Sequence, residues 1–260
     1  MKLGWVAAAA SDVGRVRQGN EDAFLIDAPR GVFLVADGMG GHAAGEVASA
    51  VATEAVGTAL RAGVDLGLQA DGLAEALRRS FRLAHGAILD YTAANPAAAG
   101  MGTTMTAIVV CDDGTFRLGH IGDSRAYLLR DGVLGQITHD HTWVQREVDE
   151  GRLSPRGART HRFAHILTRA LGADSTDEPD VYSGVLRPGD VLLLATDGLT
   201  GMLTDRRLAR TLAAAERPVE EMVAELVFAA NRRGGRDNIT AVVVRVHEST
   251  AGADDTVPEG

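Results

Sequence analysis

Apolar residues along this chain fall into two patterns. The first is short and unbroken. VFLVADG (32–38) and VLLLATDG (191–198) each run through five apolar residues and then deliver an aspartate, Asp37 or Asp197, followed at once by glycine. Runs of this length, rich in Val and Leu, read as strands buried on both faces. On the same reading, strands are expected at 3–11, 23–27, 32–36, 103–110, 115–121, 125–130, 191–196 and 238–246. Asp131-Gly132 and Asp112-Asp113-Gly114 mark hairpins between antiparallel neighbours. The second pattern is periodic. Residues 46–60 carry Ala and Val at helical spacing, and 73–94 put Leu73, Leu77, Phe81, Ala84 and Ile88 on one stripe that Asn95-Pro96 stops. Two further helices are expected at 205–215 and 219–232.

Helices in pairs around antiparallel strands predict an α+β fold. A four-layer α-β-β-α sandwich satisfies all the stripes: a central antiparallel β-sandwich with a helix pair on each outer face. No linker interrupts 5–247, so 1–247 reads as a single domain. The polar, Arg- and His-rich stretch 141–179 breaks the pattern. It reads as a helix at 142–150 and then a loop, an excursion of the kind that either carries substrate contacts or varies at the surface. The tail 248–260, small and polar, is expected to be disordered.

Composition narrows the classes. The chain has 260 residues, 45% of them hydrophobic, and 35 acidic against 26 basic residues give a net charge of −9. That balance disfavours nucleic acid, which is gripped by clustered Lys and Arg. It suits a site that concentrates divalent cations, and equally a plain acidic surface. The single cysteine, Cys111, excludes an intrachain disulfide and is compatible with a reducing cytoplasm. The apolar stretch in MKLGWVAAAASD is short for a signal peptide and runs straight into the first chemical motif. No run approaches the roughly 20 residues that span a bilayer. A cytoplasmic protein without membrane attachment, and a monomer, are expected.

The strand-tip aspartates carry the chemistry. An ionised carboxylate at the rim of a core needs a partner, and neither Asp37 nor Asp197 has a lysine or arginine beside it in sequence. With Glu21, Asp22, Asp123 and Asp237, they point to a divalent metal. Gly38, Gly40 and Gly41 allow backbone to approach a ligand closely, and the Gly38 carbonyl could join Asp37 on one ion. The absence of GxxxxGK[ST] excludes a P-loop. The donors are oxygens only, which suits hard ions such as Mg²⁺ or Mn²⁺, and no CxxC or paired histidines suggest zinc. His42, His120, His139, His141, His161 and His165 read individually as surface or packing residues. Two hard ions a few ångströms apart generate a bridging hydroxide, an in-line nucleophile for phosphorus. Arg17, four residues before Glu21, would be a fork for phosphate oxygens.

Four motifs occur in order: SDVGRVRQGNEDAF (11–24); VADGMGGHAAGE (35–46); GTT (102–104) with HIGDSRAYLLRDG (120–132); and LATDGL (194–199) with GGRDNITAVVV (234–244). From about residue 5 to 246 the chain resembles the metal-dependent Ser/Thr protein phosphatases of the 2C type, the PPM family, in their bacterial branch. The resemblance implies that Asp37 bridges two Mn²⁺ or Mg²⁺ ions with the Gly38 carbonyl on one of them. It implies that Asp197 and Asp237 hold the other ion, and that Glu21 and Asp22 act at the metals directly or through water. Arg17 would grip the substrate phosphate, Asp123 would help hold a third, weaker ion, and Asn238 would orient the turn after Asp237. The stretch 141–179 would be the flap beside the active site. Hydrolysis would proceed in line without a phosphoenzyme. The implied partners are proteins phosphorylated on Ser or Thr, with eukaryotic-like Ser/Thr protein kinases as counter-enzymes.

One position departs from the pattern. Many eukaryotic members carry histidine after the first Asp-Gly, as an acid for the leaving group, and here Met39 stands there. A metal-bound water or His42 is left for that task. Two other functions fit the motifs less fully. One is a catalytically silent relative that binds phosphoproteins, although no expected ligand is lost. The other is a binuclear-metal phosphohydrolase of small molecules or diesters.

Overall fold

The computed structural model describes residues 2–40, 43–173 and 178–249. His42 and residues 250–260 of the expected tail therefore lie outside the described residues. The chain opens with β1 (Leu3–Asp12), β2 (Asp22–Asp27) and β3 (Val32–Met39), followed by α1 (Ala43–Asp65) and α2 (Ala70–Ala94). Then come β4 (Gly102–Thr103), β5 (Met105–Val110), β6 (Thr115–Ile121), β7 (Arg125–Arg130) and β8 (Val133–Gln136). The excursion holds α3 (Trp143–Asp149) and α4 (Pro155–Ala158). The rest is β9 (Asp180–Val185), β10 (Val191–Ala195), α5 (Asp197–Thr200), α6 (Asp205–Leu212), α7 (Val219–Arg232) and β11 (Ile239–Glu248).

The strands form two antiparallel sheets, ordered β1-β11-β10-β7-β8 and β2-β3-β5-β6-β9, with β4 added to β3. Alternation along each strand creates three apolar layers. Phe33 and Val35 face Leu192, Leu194, Val242 and Val244 between the sheets. On the other face of β3, Val32, Leu34 and Ala36 pack under Ala52, Val56 and Leu60 of α1 and Leu77 and Phe81 of α2. Leu193 and Val243 turn outward onto Leu208 of α6 and Met222 and Leu226 of α7. Antiparallel strands usually alternate apolar and polar residues. These are apolar throughout because helices cover the faces that water would otherwise wet. The four-layer α-β-β-α architecture expected from the sequence is the observed one.

Several boundaries differ for local reasons. α1 extends beyond 46–60 at both ends. The expected strand 103–110 is split at Thr104, where the opposite Asp37 amide donates to Thr104 Oγ1 at 2.9 Å instead of to the Thr104 carbonyl that would complete the ladder. The last strand starts one residue after Asn238, whose side chain is committed elsewhere, and α6 stops at Leu212 rather than 215. β8, β9 and the single turn α5 were not expected as elements. β8 and β9 lie at sheet edges and lack apolar alternation, and α5 is too short to show a period.

The excursion is anchored close to where it leaves. Thr142 caps α3 by accepting from the Gln145 amide at 3.1 Å, and it bridges Leu167, while Leu171 pairs with Thr103 beside β4. The His141 amide donates to the Gly122 carbonyl at 2.7 Å, and the Gly122 amide donates back to His141 Nδ1 at 3.1 Å. His120 stacks on His141 with ring centroids 4.8 Å apart, and burial pushes His120 down to about 3, so it is a neutral packing group. Arg125 forms a bidentate pair with Asp140, with Nε at 2.9 Å from Oδ1 and Nη2 at 2.6 Å from Oδ2. The segment after Asp123 is thereby tied to the base of the excursion.

Candidate metal centre

Strand register brings the acidic residues to one end of the sandwich. In the β2–β3 pair, Asp22 lies opposite Asp37, and the Gly38 amide donates to the Glu21 carbonyl at 3.0 Å. In the other sheet, Ala195 of β10 pairs with Ala241 of β11, so Asp197 leaves one strand where Asp237 and Asn238 enter the next. Asp123 follows β6 in the turn leading to β7. Carboxylates from both sheets therefore meet across the sandwich mouth.

The backbone around them is pinned. Thr104 Oγ1 accepts from the Asp37 amide at 2.9 Å, and the Asp37 carbonyl accepts from Thr103 Oγ1 and the Thr104 amide, each at 2.9 Å. Thr104 Oγ1 also contacts Ser124 Oγ at 2.7 Å, which joins the GTT and GDSR motifs behind Asp37 and Asp123. Asn238 accepts the Glu21 amide at 2.8 Å and donates to the Val13 and Gly19 carbonyls at 3.0 and 2.9 Å. It thus does more than orient its own turn. It clamps the loop that carries Arg17 and Glu21. A Cβ at Gly38 would strike the Gly45 carbonyl, and one at Gly198 would strike the Asn238 carbonyl, so both Asp-Gly pairs need glycine for close backbone packing.

Arg17, Glu21, Asp37, Gly38, Asp123, Asp197, Asp237 and Asn238 line one cavity of about 250 Å³. Asp22 lies behind it, where its Oδ2 accepts from Thr196 Oγ1 at 2.9 Å and Thr240 Oγ1 at 2.6 Å. The same cavity is walled by Met39, Thr104 and, from the excursion, His165 and Leu167. The sequence marked Thr104 only as part of a motif and left His165 among the scattered histidines. Nothing local distinguishes His165, and it reaches the cavity because 141–173 folds back over the sheet ends. His42 lies outside the described residues.

The electrostatics call for a cation. Surrounding protein, and then the neighbouring carboxylates, raise Asp37 and Asp123 well above the usual carboxylate range. Desolvation and then Asp237 push Asp197 up to about 6. Desolvation pushes Asp22 up to about 7 despite its two threonine hydrogen bonds. Asp37 and Asp197 stand within hydrogen-bond reach of each other. Arg17 Nη2 donates to Asp237 Oδ2 at 2.8 Å, but its side chain is 50% exposed, so it caps the rim and does not neutralise the floor.

These residues fit a divalent metal centre. The donors are hard oxygens, and Asp22 Oδ1 is buried with no hydrogen-bond partner among the described residues. Among those residues, no three His, Cys, Asp or Glu side chains make a ready-made cage. Hard ions that keep several of their own waters do not require one.

A family model for protein phosphatase 2C matches residues 14–241. The chain is 42% identical over 241 residues to the serine/threonine protein phosphatase PstP of Mycobacterium tuberculosis, covering 92% of this chain and 44% of that relative. It thus spans less than half of PstP's length. It is 34% identical over 247 residues to the serine/threonine phosphatase stp of Listeria monocytogenes, covering 94% of this chain and 97% of that one. The solved catalytic domain of PstP in complex with two manganese ions superposes with a TM-score of 0.82 at 41% identity, over 95% of this chain and 100% of that chain.

Proposed function

The chain belongs to the protein phosphatase 2C family, and from that membership we propose that it is a metal-dependent serine/threonine phosphoprotein phosphatase whose residues 1–247 act as one catalytic unit. The observation that carries this reading is the meeting of Asp37, Asp123, Asp197 and Asp237 from two sheets at one cavity, with an arginine at its rim.

In this reading Asp37, the Gly38 carbonyl, Asp197 and Asp237 hold two Mn²⁺ or Mg²⁺ ions, as the PstP structure has two manganese ions. Glu21 and Asp22 act through water, and Asp123 helps hold a third ion. When bound, the ions neutralise phosphate charge and supply an activated water as nucleophile. Arg17 offers its guanidinium to the phosphate oxygens, and its bond to Asp237 keeps that fork aimed over the cavity before substrate arrives. Leu167 and Met39 give the wall an apolar side. His42, outside the described residues, is the candidate donor to the leaving group on the sequence alone. The route needs no phosphoenzyme. Cys111 lines a different groove with Trp5 and Leu73, and burial holds its thiol above the usual range. Substrates are proteins phosphorylated on Ser or Thr, opposed to Ser/Thr protein kinases of the eukaryotic-like type. A monomer in the cytoplasm, where a lone half-buried cysteine stays reduced, fits this role. Among the described residues no helix is long and apolar enough to cross a membrane.

The test is hydrolysis of a phosphothreonine peptide by metal-stripped protein refilled with Mn²⁺ or Mg²⁺. Activity should appear with metal and vanish with chelator, and Asp197→Asn should abolish it while circular dichroism stays native. A folded Asp197→Asn enzyme with full activity would refute the site. Turnover of nucleotides or diesters in place of phosphopeptides would refute the substrate class.

A further inference from the structure

Two arginines close in sequence to the cavity-lining Arg17 and Asp237 carry no ion pair among the described residues. Arg61, Arg82, Arg125, Arg130, Arg152 and Arg207 are each paired with a carboxylate. Arg15 and Arg236 are exposed, and among the described residues neither side chain makes a hydrogen bond or ion pair. Asp12 feels the charge of Arg15, but its carboxylate is already held by the Asn231 side chain and by the Gly14 amide at 2.8 Å.

Their placement is built into the backbone. The Arg15 amide donates to the Gly235 carbonyl at 2.7 Å, which locks the 13–19 loop onto the 234–237 turn. A Cβ at Gly235 would lie 2.9 Å from Arg15 Cγ, and one at Gly234 would lie 3.7 Å from Arg236 Cγ. Both arginine stems thus lean on the bare diglycine turn. Arg15 sits two residues before Arg17, and Arg236 immediately precedes Asp237, so the pair continues the cationic rim outward from the phosphate fork.

We propose that Arg15 and Arg236 form a docking rim that selects substrates bearing aspartate or glutamate beside the phosphorylated residue. The inference rests on the phosphatase reading and deepens it. Charge complementarity favours an acidic peptide here. Once a phosphoryl group lies under Arg17, a peptide leaving the cavity on this side passes the two guanidiniums, and each can pair bidentately with a carboxylate. Exposed pairs of this kind are weak, so the two together are expected to give roughly a 5-fold preference in kcat/KM. Added salt should erode that preference, because the charges are solvated.

The experiment uses the Mn²⁺-loaded full chain and four phosphothreonine peptides. They carry Glu on the N-terminal side, Glu on the C-terminal side, Gln on both sides, or a second phosphothreonine. Wild type should prefer one Glu peptide over the Gln peptide about 5-fold at low salt. Arg15→Gln with Arg236→Gln should abolish that ratio, Arg15→Glu with Arg236→Glu should invert it, and the Lys pair should keep part of it. An equal ratio for wild type and the Gln pair would overturn the proposal. So would a preference confined to the doubly phosphorylated peptide. If wild type hydrolyses none of the peptides, the phosphatase reading fails. Fluorescence anisotropy of the same peptides then decides the rim: selective binding of a Glu peptide that the Gln pair loses supports it, and indifferent binding overturns it.

Discussion

Asn238 carries three hydrogen bonds on one buried side chain, and they bind together segments far apart in sequence: Glu21, Val13 and Gly19 on one side, and the start of β11 on the other. Removing it leaves one donor and two acceptors without partners at the edge of the metal cavity. Val13 and Glu21 are half-buried and Gly19 is exposed, so water takes up part of what is lost and the change costs about 1–2 kcal/mol in all. Asn238→Ala should therefore lower the melting temperature and reduce kcat/KM at least about 10-fold, because the loop that aims Arg17 loosens. Asn238→Asp should fail to rescue, since a carboxylate accepts the Glu21 amide but cannot donate to the two carbonyls. Thermal melts with steady-state kinetics on both variants check this, and wild-type kinetics in either variant would show that the loop is held by other means. The sequence placed Asn238 beside a candidate ligand. Its reach of more than 200 residues is set by how β11 pairs with β1 and is invisible locally.

At the scale of elements, glycine has opposite meanings in α5 and α2. Gly198 sits in the first turn of α5, where a Cβ would collide with the Asn238 carbonyl, a backbone atom that cannot rotate away. Gly198→Ala should force α5 off β11, cost roughly 2 kcal/mol or more, and weaken Mn²⁺ binding by displacing Asp197. Gly86 lies inside α2, where a Cβ meets nothing within 4 Å. Gly86→Ala should stabilise by about 0.5–1 kcal/mol, through helix propensity and a less flexible unfolded chain. Chemical denaturation of both variants and Mn²⁺ calorimetry of the first measure these effects; a neutral Gly198→Ala would remove the close-packing argument. The elements themselves were legible where a period or an unbroken apolar run existed, as in α2 and β3. They were illegible at β9, whose pattern DVYSGV has no alternation because neither face is uniformly apolar: Asp180 and Gly184 flank Tyr182 on one, and Ser183 lies between Val181 and Val185 on the other.

The whole molecule stores like charge at the mouth of its sandwich, and this makes metal binding part of its stability. Desolvation and neighbouring carboxylates push Asp197 up to about 6, and desolvation pushes Asp22 up to about 7. An unfolded aspartate titrates near ~3.9. Groups raised in the folded state contribute stability that is fully present below the unfolded value and is lost as pH rises through the folded one. Chelated protein should therefore lose melting temperature steadily from about pH 4 to pH 8. Added Mn²⁺ reverses the trend, because deprotonated carboxylates bind it, so the increment it gives should be larger at pH 8 than at pH 5. Scanning calorimetry with and without chelator tests both slopes. A chelated protein that grows more stable over that range would contradict the charge-storage account.

The sequence alone determined the layers and singled out most of the acidic residues that the structure gathers at one cavity. Strand and helix periods are local consequences of which faces meet water, and an aspartate at the end of an apolar run announces itself without knowledge of its neighbours. Tertiary structure decided everything that depends on distance across the chain. It brought Asp37 to Asp197 from different sheets, gave Asn238 its three partners, folded His165 and Leu167 over the cavity, and set Arg15 and Arg236 around a shared diglycine turn. Those contacts come from strand register and loop closure, which depend on the packing of the whole core and leave no periodic trace in any one segment.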